Sequence, residues 1–317
     1  MKLCILYFSL LLPAFAIATE TPFRIVIISD QAAGSRAEEF RTYLRRSVSP
    51  FNRMKDQDLS IEVRVLSAEE NQLNCAADPA ITRLVMCDAA FVQGIAGNAL
   101  PVVITSVPHN PDEPGGSGGA IAVATTNLPF PTVVHEMLHV AGAADEYKYA
   151  PGEETEAYCT TLLSAGNFAY FKPQPPYASD PVARTTHAED VLWMPRILPS
   201  TLISISPNSL GTPTLAVGTS DQRIGLFRGG PCPPDSEGRE SWRPYENSTM
   251  RSLGVEGVQP IYEQIFVDYT RRLSGRDIPL TARSPEEVAR FATSEIVISS
   301  ENTPTEVAAP GTTVKSE

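Results

Sequence analysis

Val134-His135-Glu136-Met137-Leu138-His139-Val140-Ala141-Gly142-Ala143-Ala144-Asp145-Glu146-Tyr147 is the stretch from which the rest of this chain is best read. Two histidines four residues apart on a helix sit one turn above the other, so both imidazoles can reach one metal ion. Neutral imidazole is a good ligand for Zn²⁺, and a catalytic zinc needs three protein ligands with one position left for water. Such an ion lowers the pKa of that water towards about 7. Glu136, next to the first histidine, is placed to take the water's proton and pass it to a leaving amine.

The flanking residues agree with a helix that carries this chemistry. Pro131 suits a first helical turn, and Val133, Val134, Met137, Leu138 and Val140 supply buried faces. Gly142 follows His139 by three residues, where a glycine can end the helix and turn the chain back. That turn can bring a third ligand onto the metal: Asp145 is the first candidate and Glu146 the alternative. Tyr147 and Tyr245 are candidates for contacts to substrate or to an oxyanion. The competing reading is a buried helix whose histidines only satisfy hydrogen bonds. It requires two histidines, a glutamate, a glycine and an acidic residue to fall into ligand spacing by accident.

Upstream, Phe23 to Ser29 reads as a buried strand. Ser35 is placed to cap a helix whose Phe40, Tyr43, Leu44 and Val48 share one face, and Pro50 ends it. Ile61, Val63 and Val65 alternate with charged residues as in a half-exposed strand. A second helix is expected between Pro79 and Ala96, and a third strand from Leu100 to Val107. Pro114 to Gly119 reads as a flexible loop leading into a small-residue edge strand, Ala120 to Thr125, to which an extended substrate could add. This order predicts an α/β (α+β) architecture, a mixed twisted sheet with helices, over residues 19–149. Residues 150–276 read as an irregular, partly β subdomain closed by a helix bearing Tyr262, Ile265, Phe266, Tyr269 and Leu273. Residues 277–317 read as a polar, flexible tail. His109 and His187 fall in expected loops, which suggests surface roles.

Residues 1–18 have the form of a secretory signal: Lys2, an apolar run from Leu3 to Leu12, and Ala14-Phe15-Ala16-Ile17-Ala18. A secreted or periplasmic protein is therefore expected. No other stretch is long and apolar enough to span a bilayer. The net charge of -12 argues against nucleic acid as a partner. Four cysteines remain after such a signal, Cys75, Cys87, Cys159 and Cys232, and an even number in an exported chain suggests disulfides. Sequence order favours Cys75–Cys87 and Cys159–Cys232, although three pairings are open.

His-Glu-x-x-His-x-x-Gly-x-x-Asp resembles the metzincin clan in a version with aspartate as third ligand. That resemblance implies a tight turn with a methionine beneath the metal, for which Met250 is the candidate and Met194 the rival. A closer likeness is to the M64 peptidases, the family named for an IgA-cleaving enzyme. It rests on Ser49-Pro50-Phe51, the glycine loop, His135 to Tyr147, Gly225-Leu226-Phe227-Arg228-Gly229-Gly230, and Arg243-Pro244-Tyr245-Glu246-Asn247-Ser248-Thr249-Met250-Arg251. In that family Asp-Glu-Tyr often stands one residue further from the second histidine, and a small residue stands where this chain has Leu138. The resemblance implies a metzincin-like zincin fold, one catalytic Zn²⁺ and endopeptidase activity on protein or peptide substrates. Two alternatives stand beside it: a non-catalytic, peptidase-like binding protein, and a zinc amidase acting on a non-protein amide.

Overall fold

Phe23–Asp30 forms β1, and seven of its eight residues are buried. An apolar run of this length, covered on both faces, is the pattern of a central parallel strand. In the computed structural model, which describes residues 21–79, 81, 83–107, 115–149, 159, 161–214, 223–252, 255 and 257–283, β1 lies between two parallel neighbours. On one side is β2 (Leu59–Leu66), with Ile25 opposite Ile61; on the other is β5 (Leu100–Thr105), with Ile25 opposite Leu100. The parallel set continues to β7 (Ala122–Thr125), and an antiparallel two-residue strand, β6 (Gly116–Ser117), completes the mixed sheet in the order β2-β1-β5-β7-β6.

The alternation of side chains along these strands divides the interior into two cores. Ile25, Ile27, Leu100, Val102, Ile104, Ala122 and Ala124 face one way and pack with α1 (Gly34–Ser47), α3 (Phe130–Ala141) and α5 (Pro260–Ser274). Val26, Ile28, Val103, Ile121 and Val123 face the other way and meet Val92 and Ala96 of α2 (Ala89–Ala96). The small side chains of β7 let α3 lie close to the sheet, which brings the histidine helix against β6 and β7. The first core runs on through Trp193, Trp242, Tyr245 and Phe266, so the segments before and after residue 149 share one interior. Beyond α3 the chain forms a short helix, α4 (Asp180–Thr186), and a three-stranded antiparallel sheet. This sheet comprises β8 (Ala169–Phe171), β10 (Glu240–Arg243) and β9 (Phe227–Arg228), with β10 in the middle. Among the described residues no helix is long and apolar enough to cross a membrane.

Several expectations are corrected. The helix expected between Pro79 and Ala96 occupies the second half of that stretch, Ala89–Ala96, where the Asp88 side chain accepts from the Phe91 N–H at 2.9 Å. Before it the chain forms a hairpin of β3 (Ala76–Ala77) and β4 (Val85–Met86), closed by the disulfide Cys75–Cys87. The second disulfide, Cys159–Cys232, completes the pairing favoured by sequence order. Ser35 is not the cap of α1. Ala33 stands at the N-cap of α1 without a side-chain cap, and the helix continues directly from a 3-10 turn at Gln31–Ala33 that Asp30 caps. The strand Ala120–Thr125 is not an edge, because β6 covers it. His187 does not lie on the surface: it is fully buried behind α4, with Nε2 2.9 Å from Tyr177 Oη and Nδ1 3.0 Å from Asp190 Oδ2. His109, the 1–18 segment and the tail beyond residue 283 lie outside the described residues.

Asp30 ties the ends of β1 and β5 together. Its carboxylate accepts from Ala33 N (2.9 Å), Thr105 Oγ1 (2.9 Å) and Ser106 N (2.7 Å). Burial alone would raise its pKa, but the donors of Ser106, Thr105 and Ala33 outweigh it and hold the carboxyl below its ordinary value of 3.8. A depressed folded-state pKa adds stability above the unfolded value, and this is lost as the pH falls through the folded one. Asp30→Asn is therefore expected to destabilise the fold by about 2 kcal/mol at pH 7 in urea unfolding. The gap from wild type should narrow as the pH is lowered below 3.8.

Candidate metal centre

Helix α3 presents His135 and His139 on one face, and Gly142, at φ 106°, ends it in the left-handed conformation that suits glycine. The chain then reverses, so that Asp145 returns to the histidines. Nε2 of His135 and Nε2 of His139 are 3.1 Å apart, and Oδ1 of Asp145 lies 3.2 Å from each. A tetrahedral ion with ligand bonds of about 2.0–2.1 Å would separate its donors by about 3.3–3.4 Å, so the three atoms stand close to one face of such a tetrahedron. His135, Glu136 and His139 form a wider group able to hold a metal ion, with donor atoms within 4.8 Å of one another. The tighter triangle has Asp145 in place of Glu136.

The hydrogen bonds show why this triangle calls for a cation. His135 Nδ1 lies 2.8 Å from the Thr249 carbonyl oxygen, and His139 Nδ1 lies 3.0 Å from that of Ala143. A carbonyl can only accept, so both Nδ1 atoms carry the proton and a neutral ring turns its Nε2 lone pair inward. Asp145 Oδ1 is buried with no hydrogen-bond donor. Three lone pairs therefore meet at one point, which a buried site does not tolerate without a positive charge. Burial by itself would lower the His139 pKa. The Asp145 carboxylate overrides this and pushes it up to about 9. Burial likewise works to raise the Asp145 pKa, and the two histidines hold it far below the carboxylate range. The same field that favours a proton on His139 favours a metal ion between the three residues.

Glu136 points into the same cleft. Burial raises its carboxyl above the ordinary value, partly offset by His135 and His139. Tyr147 packs its ring parallel to His135, with centroids 6.3 Å apart, and burial followed by the Asp145 charge raises its phenol strongly. Tyr149 donates to Asp145 Oδ2. The cleft has a volume of about 540 Å³; Tyr147 lines it and Tyr245 does not. Tyr245 is fully buried, and its Oη accepts from Ile261 N (3.1 Å) in the first turn of α5, so its role is that of a helix cap and not of a substrate contact.

Glu146, the alternative ligand, faces away from the histidines. Its carboxylate accepts from Asn167 Nδ2 (2.9 Å), Ser248 Oγ (2.7 Å) and Tyr262 Oη, and its N–H donates to the Met250 carbonyl (2.8 Å). Burial pushes its pKa up to about 7 against these donors. Asn167 also pairs in both directions with the Ala144 backbone, at 2.8 Å each. The loop that bears Asp145 is thus fastened to the Ser248–Met250 turn, whose Thr249 carbonyl orients His135. Met250 is fully buried in that turn, and Met194 is buried in a separate 3-10 turn, Met194–Arg196.

Sequence reading missed Asn167, Ser248 and Tyr262, because nothing in isolated polar residues announces a shared carboxylate. It also misjudged the glycine run. A side chain at Gly116 would meet Glu136 Oε1 at 3.1 Å, and one at Gly118 would fall 2.7 Å from His139 Cδ2. These glycines are there so that backbone can pass against the two site residues, and the run itself was the available signal.

No protein-family model matches the chain, and no curated protein matches it.

Gly118→Ala is expected to displace the His139 ring and to weaken divalent-metal binding about 10- to 100-fold, as read by chelator competition. Gly119→Ala, with open space around the added methyl but a φ of 134°, controls for backbone strain alone.

Proposed function

We propose that this chain is a zinc-dependent endopeptidase that works outside the cytoplasm. The observation that carries the reading is the buried triangle of His135, His139 and Asp145, with the Glu136 carboxyl beside it in an open cleft. Two imidazoles and one carboxylate are a donor set suited to Zn²⁺, and the open side of the triangle leaves room for water. Bound zinc would supply Lewis acidity, making a hydroxide nucleophile available near neutral pH.

The protein's own residues supply the rest. Glu136 accepts a proton from the attacking water and later delivers it to the departing amine, and its raised pKa suits a group that must do both near neutrality. Thr249 and Ala143 hold the two imidazoles in the tautomer with Nε2 free. Asp145 contributes a negative charge, so the three donors together neutralise part of a divalent charge. Tyr147, on the wall beside His135, is positioned to donate to an oxyanion. Leu84, Met86, Thr161 and Leu162 are among the residues lining the cleft, and a lining of this mixed kind is compatible with a polypeptide substrate. The two disulfides are of the kind that persist in oxidising compartments, which supports action outside the cytoplasm.

The test compares residues 19–317 with the same chain carrying Glu136→Ala. Wild type is expected to hold about one zinc per chain and to cleave internal bonds of a mixed peptide library. The variant should keep its zinc and lose about 10²- to 10⁴-fold in kcat/KM. A wild-type chain that binds zinc and cleaves no peptide would contradict the proposal.

A further inference from the structure

The chain just before α2 brings apolar side chains to the metal cleft. There β4 pairs with β3, and the disulfide Cys75–Cys87 closes the hairpin. The residues from Arg83 to Val85 are held to β6. Leu84 forms a parallel bridge with Gly116, Gly116 N donates to the Arg83 carbonyl (3.1 Å), and Ser117 Oγ donates to the Val85 carbonyl (2.7 Å). Successive side chains on extended backbone point to opposite faces. Val85 is fully buried with Ile121 and Val123 in the second core, so Leu84 and Met86 turn the other way, and both line the cleft.

The same contacts fix how far this apolar face stands from the chemistry. A side chain at Gly116 would meet Glu136 Oε1 at 3.1 Å. Paired strands lie about 4.8 Å apart, which puts the Leu84 backbone within about 10 Å of the Glu136 carboxylate. An extended peptide advances about 3.3 Å per residue, so a residue beside Leu84 is within about three positions of the bond that Glu136 serves.

Met86 is 59% exposed, and of the large hydrophobic side chains left exposed among the described residues it is the one that lines the cleft. Leu84 and Ile81, which also line it, are partly exposed. Apolar groups left in water beside a buried polar centre gain when an apolar part of a ligand covers them. The unbranched thioether of Met86 adapts to partners of different shape. A carboxamide in the same place would give up water to lie against apolar carbon.

Resting on the peptidase reading above, we propose that Leu84 and Met86, with Ile81, form an apolar subsite. It selects peptides that carry a large aliphatic or thioether side chain within about three residues of the scissile bond. Met86 belongs to neither core, so its replacement tests recognition without threatening the fold.

The experiment uses peptide pairs that differ only by Leu against Asn, which are close in size, at each of three positions on either side of a cleavage site. Wild type is expected to prefer Leu by about tenfold in kcat/KM at one of these positions. In Met86→Gln that ratio should fall to about threefold or less while the ratios elsewhere stay as they were, and Met86→Leu should retain it. Fluorescence anisotropy of the same pairs on Glu136→Ala protein, with and without added Zn²⁺, reads the ranking without turnover. A chain that hydrolyses nothing yet binds the Leu peptide more tightly, and loses that preference when Met86→Gln is added, would overturn the peptidase reading and keep the subsite. Equal treatment of Leu and Asn in both assays, a ratio unchanged in Met86→Gln, or ratios that fall alike at every position would each overturn the subsite.

Discussion

Three electron-pair donors are held against one another in the interior of this protein, and much of the surrounding structure is arranged to keep them there. Each Nδ1 of the two histidines is committed to a carbonyl, and Asp145 Oδ1 has no donor of its own. Left without a positive charge, this arrangement would be repulsive and poorly solvated. A fold that builds it must hold the donors in place from outside, and it does so through covalent turns and buried polar ties. Gly142 reverses the chain, Asn167 grips the Ala144 backbone, and Glu146 fastens the ligand loop to the turn at Ser248–Met250. His135 and Asp145 are thus oriented from one element that lies about a hundred residues further along the chain.

The lining of the cleft is also held in place from outside. It includes residues of the hairpin closed by Cys75–Cys87 and residues around Thr161 to Ala165, which follow Cys159 in its bond to Cys232. Neither segment has regular structure enough to fix itself, and cross-links reduce the freedom such loops would otherwise have. The glycines of β6 and its continuation complete the enclosure by letting main chain approach Glu136 and His139 more closely than any side chain would permit.

What could be read from sequence divides along physical lines. The histidine helix, its glycine stop and the strand Phe23–Asp30 were legible because periodicity and local backbone rules determine them. The closing helix was legible for the same reason: Tyr262, Ile265, Phe266, Tyr269 and Leu273 recur at helical spacing. Cysteine order favoured the pairing that the structure has without excluding the other two. The helix expected between Pro79 and Ala96 is there but fills only Ala89–Ala96, because the disulfide hairpin takes up the residues before it. Its true start was marked by Asp88, a cap that was there to be seen. The buried His187 could not have been found, since its partners Tyr177 and Asp190 form no recognisable motif. Asp145 and Glu146 are adjacent and chemically alike, and only the tertiary donors from Asn167, Ser248 and Tyr262 divide their roles.

The claim on which everything else rests is that His135, His139 and Asp145 together hold one zinc ion. It is tested most directly by a crystal structure of the zinc-loaded protein, with anomalous diffraction recorded on both sides of the zinc absorption edge. The prediction is a single zinc peak within bonding distance of both Nε2 atoms and of Asp145 Oδ1, with Glu136 and Glu146 outside the coordination sphere. A peak bound by either glutamate in place of Asp145, or an ion lying elsewhere with the triangle empty, would contradict it.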